Sequence, residues 1–360
     1  MKRILVFFFP AVCIALLTGC GGGFLAASIS RGTDGGVYRI RQGKSEQLSN
    51  IPSLNFLCRD AESGLYYGTS NHDFRPKGKS GSVVILKKTS AGKMKLVRTV
   101  PVEGKTPCFL TLSPDRRFLY TANYSSGNLS EIPLENGLFS GPPRLIQHSG
   151  RGSTKRQTAP HPHCAVFEPG GKRLYVCDLG TDQIWIYDWS PETGLKLPCA
   201  EKLPLPPGSG PRHLVFDPSG RILYAANELN STAASFVRDS STGKWRFHTV
   251  RSTLLRPVQR NFPGAVKITA DGRFFFVANR GHDSIAVFKT SGDGGFRLLD
   301  AVPSQGQFPS DLLLQDHGRI LSVVHLKSDT VTQFRFDPEQ GKLIPLSGQA
   351  KVPQGIGLCP

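Results

Sequence analysis

The stretch SPDRRFLY at residues 113–120 decides the fold, because versions of it recur along the chain. Each version is a polar turn between two apolar segments that have the composition of β-strands. The later copies are EPGGKRLY at 168–175, DPSGRILY at 217–224, ADGRFFF at 270–276 and DHGRIL at 316–321. With Pro114 as position zero, the zeros fall at Ala61, Pro114, Pro169, Pro218, Ala270 and Asp316, at spacings of 53, 55, 49, 52 and 46 residues. This period is typical of β-propeller blades.

A proline stands seven residues before most of these zeros, where it can open a strand without loss of a ladder hydrogen bond. These prolines are Pro107, Pro162, Pro211, Pro263 and Pro309. In the same register Pro353 lies seven residues before Pro360, so the chain ends on an opening strand. The continuation of that strand lies at the other end, in residues 25–40, which resemble residues 280–288. We therefore predict an all-β, seven-bladed propeller that is closed by N- and C-terminal strands sharing one blade.

The first 19 residues have the features of a lipoprotein-type signal peptide: a charged start, an apolar run over 4–17 and a small residue before Cys20. The apolar run is shorter than the ~20 residues that span a bilayer. We expect a lipid on Cys20 to be the only membrane attachment, with the protein at the cell envelope, on the outer membrane or the periplasmic face. Residues 20–23 then form a short leader and residues 24–360 the propeller domain. The alternative is ordinary secretion, in which Cys20 is incidental.

The chain carries a formal net charge of +17, and loss of Lys2 and Arg3 with the signal peptide leaves +15. This charge favours anionic substrates or surfaces, although a solvated basic surface explains it equally well. The basic residues are scattered and are not interleaved with aromatic residues, which argues against nucleic-acid binding.

The six cysteines between Cys58 and Cys359 form no CxxC pair and have no zinc-like spacing to histidine, so we expect buried thiols and no metal site. The motifs of serine hydrolases, zinc proteases, nucleotidases and dehydrogenases are missing from the sequence, and we expect no cofactor.

Two positions of the repeat point to one mouth of the propeller. The opening strand of each blade starts at position −6 and the next strand ends near +10, so both positions lie at the same end of a hairpin. Position −6 is occupied by Gln354, Asn55, Cys108, His163, Arg212, Gly264 and Ser310. Position +10 is occupied by Arg31, Asn71, Tyr124, Leu179, Glu228, Arg280 and Leu326. The ionisable residues cluster in three consecutive blades.

This cluster suits hydrolysis of an anionic, ester-like substrate, because two guanidinium groups can capture a carboxylate or phosphate while a carboxylate and an imidazole move protons. The predicted catalytic residues are His163, Arg212, Glu228 and Arg280. The predicted substrate-binding residues are Arg31, His161, Asn227 and Asn279. Alternatively, charged residues gather at a wet channel mouth without doing chemistry. A further recurrence, of Asp34, Asp182, Asp283 and Asp329 before a strand, is better explained by turn formation.

Five segments resemble one known family, the lactonases with a seven-bladed β-propeller. They are PHPH at 160–163, YVCDLGTD at 175–182, GSGPRH at 208–213, NEL at 227–229 and NRGHDS at 279–284. The family contains the propeller-type 6-phosphogluconolactonases and the fungal carboxy-cis,cis-muconate cyclases. The resemblance implies that the histidine, glutamate and two arginines proposed as the cyclase active site carry over onto the four catalytic residues predicted above. Residues 324–327, which read VHLK, depart from the family pattern at one part of the pocket rim.

The expected activity is hydrolysis of a lactone by a monomer. Arg212 and Arg280 hold the anionic group or the carbonyl oxygen, Glu228 activates water and His163 protonates the leaving alkoxide; the last two roles could be exchanged. An exported protein is expected to act on unphosphorylated aldonolactones or carboxylated lactones, since 6-phosphogluconolactone is a cytosolic intermediate. The alternatives are a lactonising cycloisomerase and a non-catalytic envelope propeller that binds a protein or a glycan.

Overall fold

The computed structural model describes residues 23–360. Apart from one short 3-10 turn at Asp316–Gly318, the regular elements of this part of the chain are β-strands, gathered in seven antiparallel sheets of four or five strands. The innermost strand of every sheet contacts those of both neighbouring sheets, which closes the sheets into a ring. The predicted all-β, seven-bladed propeller is confirmed. The predicted signal peptide, 1–19, and the lipidated Cys20 lie outside the described residues.

The strands follow one another blade by blade along the chain. Blade 7 receives β1 (Phe24–Ser28), β2 (Gly36–Arg41) and β3 (Lys44–Ser49). Blade 1 contains β4 (Leu54–Arg59), β5 (Leu65–Ser70), β6 (Ser82–Lys88) and β7 (Met94–Pro101). Blade 2 contains β8 (Pro107–Leu112), β9 (Phe118–Asn123), β10 (Asn128–Glu135), β11 (Leu138–Phe139) and β12 (Arg144–Gln147). Blade 3 contains β13 (Pro162–Phe167), β14 (Arg173–Asp178), β15 (Gln183–Ser190), β16 (Gly194–Leu195) and β17 (Glu201–Pro204).

The second half of the chain repeats the arrangement. Blade 4 contains β18 (Pro211–Phe216), β19 (Ile222–Asn227), β20 (Thr232–Arg238) and β21 (Trp245–Ser252). Blade 5 contains β22 (Phe262–Ile268), β23 (Phe274–Arg280), β24 (Ser284–Thr290) and β25 (Phe296–Pro303). Blade 6 contains β26 (Pro309–Gln315), β27 (Ile320–His325), β28 (Thr330–Asp337), β29 (Lys342–Pro345) and β30 (Ala350–Lys351). The last strand, β31 (Gly355–Cys359), returns to blade 7.

Blade 7 is built from both ends of the chain, as predicted. Its strand order is β3-β2-β1-β31, so the C-terminal strand is the innermost one. Leu25 of β1 pairs with Cys359 of β31, and Ala26 pairs with Leu358. This pairing covers the inner edge of β1 and gives blade 7 an innermost strand like those of the other blades.

The core lies between the blades and forms seven buried apolar clusters, one at each interface between neighbouring sheets. The period-2 alternation of the strands explains this arrangement, because alternate side chains of one strand face opposite neighbours. In β14, for example, Tyr175 packs towards blade 4 and Val176 towards blade 2. Since the interfaces follow one another around the whole ring, no blade is left with an open apolar face.

Every innermost strand carries a β-bulge at the mouth end, shortly after the position of the opening proline. A bulge takes a residue out of the ladder and re-aims its side chain, and bulges are common next to active sites. The bulged residues of blades 1, 2, 3, 4 and 6 are Asn55, Cys108, His163, Arg212 and Ser310. In blade 5 the bulge contains Gly264 and Ala265, and in blade 7 it falls at Ile356. The predicted −6 positions of six blades are thus confirmed as mouth positions.

In blade 7 the predicted register is wrong by two residues. The backbone N–H of Ile29 donates to the carbonyl of Gln354 at 3.1 Å, just as Tyr124 in blade 2 donates to Thr106 at 3.0 Å. Ile29, rather than the predicted Arg31, is therefore the equivalent of Tyr124 at position +10. Likewise, Gln354 precedes the start of the strand, and the bulge lies two residues later.

The cause is the turn between β1 and β2. Blade 7 pairs Ser28 with Gly36 across this turn, whereas blade 5 pairs Asn279 with Ser284 across the equivalent one. The blade 7 turn is therefore three residues longer. Arg280 lies three residues before Asp283, but counting three residues back from Asp34 reaches only Arg31, two residues short of Ile29.

The turn-forming role predicted for the recurring aspartates is confirmed in three blades. Asp182, Asp283 and Asp329 have the positive φ angles 55°, 59° and 57°, a left-handed conformation that aspartate tolerates better than most residues. Their carboxylates accept backbone N–H groups of the following loop, as Asp182 does from Gly210 at 2.7 Å. Asp34 lacks the left-handed conformation and instead accepts a hydrogen bond from Ser30 Oγ.

The cysteines of the described residues are free thiols. Cys164, Cys177 and Cys359 are buried, as expected, whereas Cys58, Cys108 and Cys199 are partly exposed. Within residues 23–360, no helix has the length and apolar character needed to cross a membrane.

Candidate functional site

Glu228 is the centre of a buried ionic cluster at the mouth. It follows the end of β19, where its backbone N–H donates to the carbonyl of Gly210 at 2.8 Å. Its Oε1 accepts a hydrogen bond from Arg156 Nη1 at 2.6 Å, and its Oε2 accepts one from Arg280 Nη2. Arg212 Nε lies 3.1 Å from Oε2, close enough for an ion pair but not aligned for a hydrogen bond. Three guanidinium groups therefore surround one carboxylate, whose side chain is 6% exposed.

The backbone of blades 4 and 5 positions the two inner arginines. Arg212 is directed to the mouth by the bulge of β18, and Arg280 is the last residue of β23, with its Nε donating to the carbonyl of Phe262 at 3.0 Å. Gly264 provides the space between them, because a Cβ there would lie 3.0 Å from Arg280 Nε and 3.4 Å from Arg212 Nη1. The Arg280 guanidinium also lies over the ring of Phe308, 5.4 Å from its centroid. Both side chains are about nine-tenths buried.

The charges of the cluster shift one another's pKa values. Burial alone would raise the pKa of Glu228, but the charges of Arg280 and Arg212 outweigh it and hold this pKa well below its usual range. For Arg212, burial together with the neighbouring charge of Arg280 lowers the pKa to about 10. Glu228 is thus a carboxylate at any physiological pH, and it is a weak base.

His163 stands at the bulge of β13, beside the arginines. Burial first, and then the positive charge of Arg212, lowers its pKa well below the usual value of 6.5, so the imidazole is neutral at physiological pH. Its Nδ1 lies 3.7 Å from the thiol of Cys108. Burial raises the pKa of that thiol to about 12, so Cys108 is a neutral neighbour rather than a thiolate. In the described part of the chain, no hydrogen bond engages His163 Nε2, which leaves this nitrogen for a water or a substrate.

His213 is a member of the cluster that sequence reasoning missed. Its Nε2 lies 3.1 Å from Arg212 Nη1, and its ring is 5.4 Å from that of His163. Burial and the charge of Arg212 lower its pKa well below the usual value, so it is neutral as well. Strict strand alternation assigns His213 to the face opposite Arg212, but the bulge at Arg212 breaks that alternation. In the sequence, only the segments HPH at 161–163 and PRH at 211–213 indicate that His163 and His213 could lie near Arg212.

Arg156 and Tyr124 were also missed as site residues. Arg156 lies in the loop between β12 and β13, and its Nη2 donates to the Tyr124 hydroxyl at 3.0 Å. Tyr124 stands at position +10 of blade 2, so the register predicted its place at the mouth. Its hydroxyl was not included among the predicted site groups. Arg156 belongs to no repeat position, and nothing in the sequence separates it from the other exposed basic residues.

The four predicted substrate-binding residues have different surroundings. His161 is half-buried at the cluster, with its ring stacked on that of Tyr124 at 4.4 Å. Asn227 and Asn279 are fully buried and hold the turns that follow β19 and β23, donating to Thr232 Oγ1 at 2.9 Å and Ser284 Oγ at 3.1 Å. Arg31 is exposed, and no hydrogen bond or ion pair joins it to the described cluster residues. The structure thus brings His161 to Tyr124, the partner of Arg156, whereas the two asparagines have structural roles in their turns.

The arrangement is suited to binding an anion. Three guanidinium groups and one carboxylate, with both histidines neutral, give the cluster a net charge of +2 at neutral pH. Fixed positive groups in a partly desolvated site stabilise negative charge that is present on a ligand or develops on an oxygen during reaction. The neutral His163 beside them can accept a proton from water and return it.

Comparisons with known proteins cover nearly the whole chain and agree with its fold. The family described as "Lactonase, 7-bladed beta-propeller" matches residues 24–359. The chain is 27% identical to a 6-phosphogluconolactonase of Bacillus subtilis, over 91% of this chain and 95% of the relative. It is similar in structure to a protein from Lactobacillus plantarum, with a TM-score of 0.86, 27% identity and coverage of 94% and 99% of the two chains. It is also similar to a periplasmic gluconolactonase of Pseudomonas aeruginosa, with a TM-score of 0.83, 26% identity and coverage of 93% and 98%.

Proposed function

Because the chain belongs to the family of seven-bladed β-propeller lactonases, we propose that it hydrolyses an anionic, sugar-derived lactone at the cluster around Glu228. The observation that carries this proposal is the set of three guanidinium groups that surround one buried carboxylate beside a neutral imidazole. The relatives named 6-phosphogluconolactonase and gluconolactonase support the reaction class.

In the proposed reaction, Arg212 and Arg280 bind the carbonyl oxygen of the lactone. Water attacks the carbonyl carbon and gives one proton to His163, while the guanidinium groups stabilise the negative oxygen that forms. The ring C–O bond then breaks, and His163 returns the proton to the leaving alkoxide. The product is the open-chain hydroxy acid, and His163 is neutral again.

The hydrogen-bonding pattern favours His163 over Glu228 as the general base, because no hydrogen bond among the described residues engages His163 Nε2. Glu228 is held as a stable carboxylate by its arginines, and both of its oxygens are already engaged. A base in that state accepts a proton from water poorly. We therefore assign Glu228 to positioning of the guanidinium groups, and the two proton transfers to His163.

An anionic substrate would also strengthen the base. The charges of Arg212 and Arg280 contribute to the low pKa of His163, and a bound anion compensates these charges. The imidazole then becomes more basic, because the repulsion that disfavours its protonated form decreases. An anionic lactone would therefore both bind more tightly to this site and undergo faster proton transfer than a neutral one.

Attachment to the cell envelope through Cys20 is a separate part of the proposal. It favours lactones that occur outside the cytosol, such as aldonolactones or carboxylated lactones, over phosphorylated intermediates. The relative from P. aeruginosa is described as periplasmic, which supports an envelope location for a member of this family.

The test is a panel of lactones offered to the purified protein beginning at residue 23. We expect at least one sugar-derived lactone to be opened well above its spontaneous rate, measured as acid release at constant pH, with anionic lactones preferred. If every lactone opens only at its spontaneous rate, the proposal is wrong. Conversion of muconates to lactones, without lactone opening, would identify a cycloisomerase instead.

A further inference from the structure

The loop between β12 and β13, residues 148–161, brings Arg156 to Glu228 from the solvent side. Arg156 contacts Oε1 of the carboxylate, whereas the two inner arginines contact Oε2. The side chain of Arg156 is 46% exposed, compared with 9% and 11% for Arg212 and Arg280. The three guanidinium groups therefore form two layers: a buried pair, and an outer guanidinium on the opposite side of the Glu228 carboxylate.

Arg156 has unused hydrogen-bonding capacity. A guanidinium group offers five N–H donors. In residues 23–360, the recorded partners of this one are Glu228 Oε1 and the hydroxyl of Tyr124. Three of the five donors therefore remain for a ligand, and a carboxylate or a phosphate is the acceptor that a guanidinium group binds most strongly.

The loop that carries Arg156 is fixed in place. The fully buried Gln157 donates to the carbonyl of Leu179 at 2.8 Å and to Asp182 Oδ1 at 2.7 Å. The carboxylate of Asp178 fastens both ends of the loop, because it accepts from His148 Nδ1 at 2.7 Å and from the backbone N–H of His161 at 2.8 Å. Arg156 is thus preorganised, and little conformational entropy is lost when a ligand binds it.

The geometry points to Arg156 as a specificity-determining residue that binds a second anionic group of the substrate, at the end remote from the lactone carbonyl. The inference rests on the proposed function, since the inner arginines are taken to hold the carbonyl oxygen. An outer guanidinium that is fixed, partly exposed and incompletely bonded then selects lactones that carry a remote carboxylate or phosphate over neutral ones.

Three open-chain ligands separate the possibilities, because they share the carboxylate left by ring opening and differ at the remote carbon. Gluconate has a hydroxyl there, glucarate a carboxylate and 6-phosphogluconate a phosphate. We expect the wild-type protein to bind glucarate or 6-phosphogluconate more tightly than gluconate in isothermal titration calorimetry. In Arg156→Gln that advantage should fall about tenfold, the lower end for a charge-assisted hydrogen bond, because the residue is partly exposed. The affinity for gluconate should fall much less than the other two, because its single carboxylate lies at the inner arginines, and Arg156→Lys should keep part of the advantage.

The matched control is Arg151→Gln, which removes an exposed arginine from the same loop. It should leave all three affinities unchanged. The inference would be overturned if the wild-type protein bound the three ligands equally. It would also be overturned if Arg156→Gln weakened all three equally or none of them, or if Arg151→Gln caused the same loss. These outcomes are independent of turnover. Failure of the lactone panel with the binding difference intact would reject the proposed reaction and keep the anion site.

Discussion

Two sectors of the mouth share one backbone and differ in their side chains. Blades 3, 4 and 5 and blades 6, 7 and 1 all have a bulge at the start of the innermost strand. In the first sector, the six mouth positions carry His163, Leu179, Arg212, Glu228, Gly264 and Arg280. In the second, they carry Ser310, Leu326, Ile356, Ile29, Asn55 and Asn71. The repeated fold therefore supplies a pair of equivalent mouth positions in each of the seven blades, and charged residues occupy these positions on only one side of the ring.

The largest expected difference between the sectors is in catalysis. Arg280→Ala removes a guanidinium that stabilises the developing oxyanion, and kcat/KM for the best lactone of the panel should fall by about 10²–10³-fold. Leu326→Ala, at the equivalent position of blade 6, is the matched control and should change kcat/KM little. Comparable losses in the two variants would mean that the charged sector has no special part in the reaction.

The charged sector should also be more sensitive in stability. Glu228→Gln leaves three guanidinium groups without their counter-charge, and removal of one partner from a buried ion pair is strongly destabilising. We expect the free energy of unfolding, measured by urea denaturation, to fall by about 3 kcal/mol, near the low end for buried pairs because Arg156 is partly exposed. The control is Glu46→Gln, which breaks an exposed pair with Arg39 and Lys93. An equal effect of both variants would contradict a buried cluster.

The pH dependence of kcat/KM tests the assignment of the base. His163 must be neutral to accept a proton, and its pKa is lowered in the free protein, so activity should persist as the pH falls below 6.5 and decline only in more acidic solution. Loss of charge on Arg212 should lower the rate again near pH 10, where its pKa lies. The acid limb should be absent from the residual activity of His163→Gln. An acid limb that survives this substitution would assign the proton transfer to another group.

The sequence predicted the fold and most of the charged sector, because both follow from the repeat. A repeated hairpin places equivalent residues at one end, and His163, Arg212, Glu228 and Arg280 could be brought together by counting alone. The counting failed in blade 7, where a longer turn follows β1. It predicted Arg31 at the mouth position that Ile29 occupies.

Arg156 shows the limit of the same reasoning. The loop over residues 148–161 is longer than the equivalent connections at 205–210 and 304–308, and it has no counterpart from which a position could be inferred. Its place at Glu228 depends on the tertiary contacts of Gln157 and Asp178, which no local pattern encodes. His213 was missed for a different reason, since a bulge overrides the alternation on which strand patterns depend.

The shared blade has a mechanical consequence. A pull on the chain at residue 23 acts along β1, which is hydrogen-bonded on one side to β2 and on the other to β31. The load is in shear, so the bonds of both ladders resist it together, whereas an edge strand such as β3 would be peeled away one bond at a time. Force applied at residue 23 is transmitted through β1 to β31, the innermost strand of blade 7. The pairing of β1 with β31 is therefore not the first part of the propeller to separate under such a force.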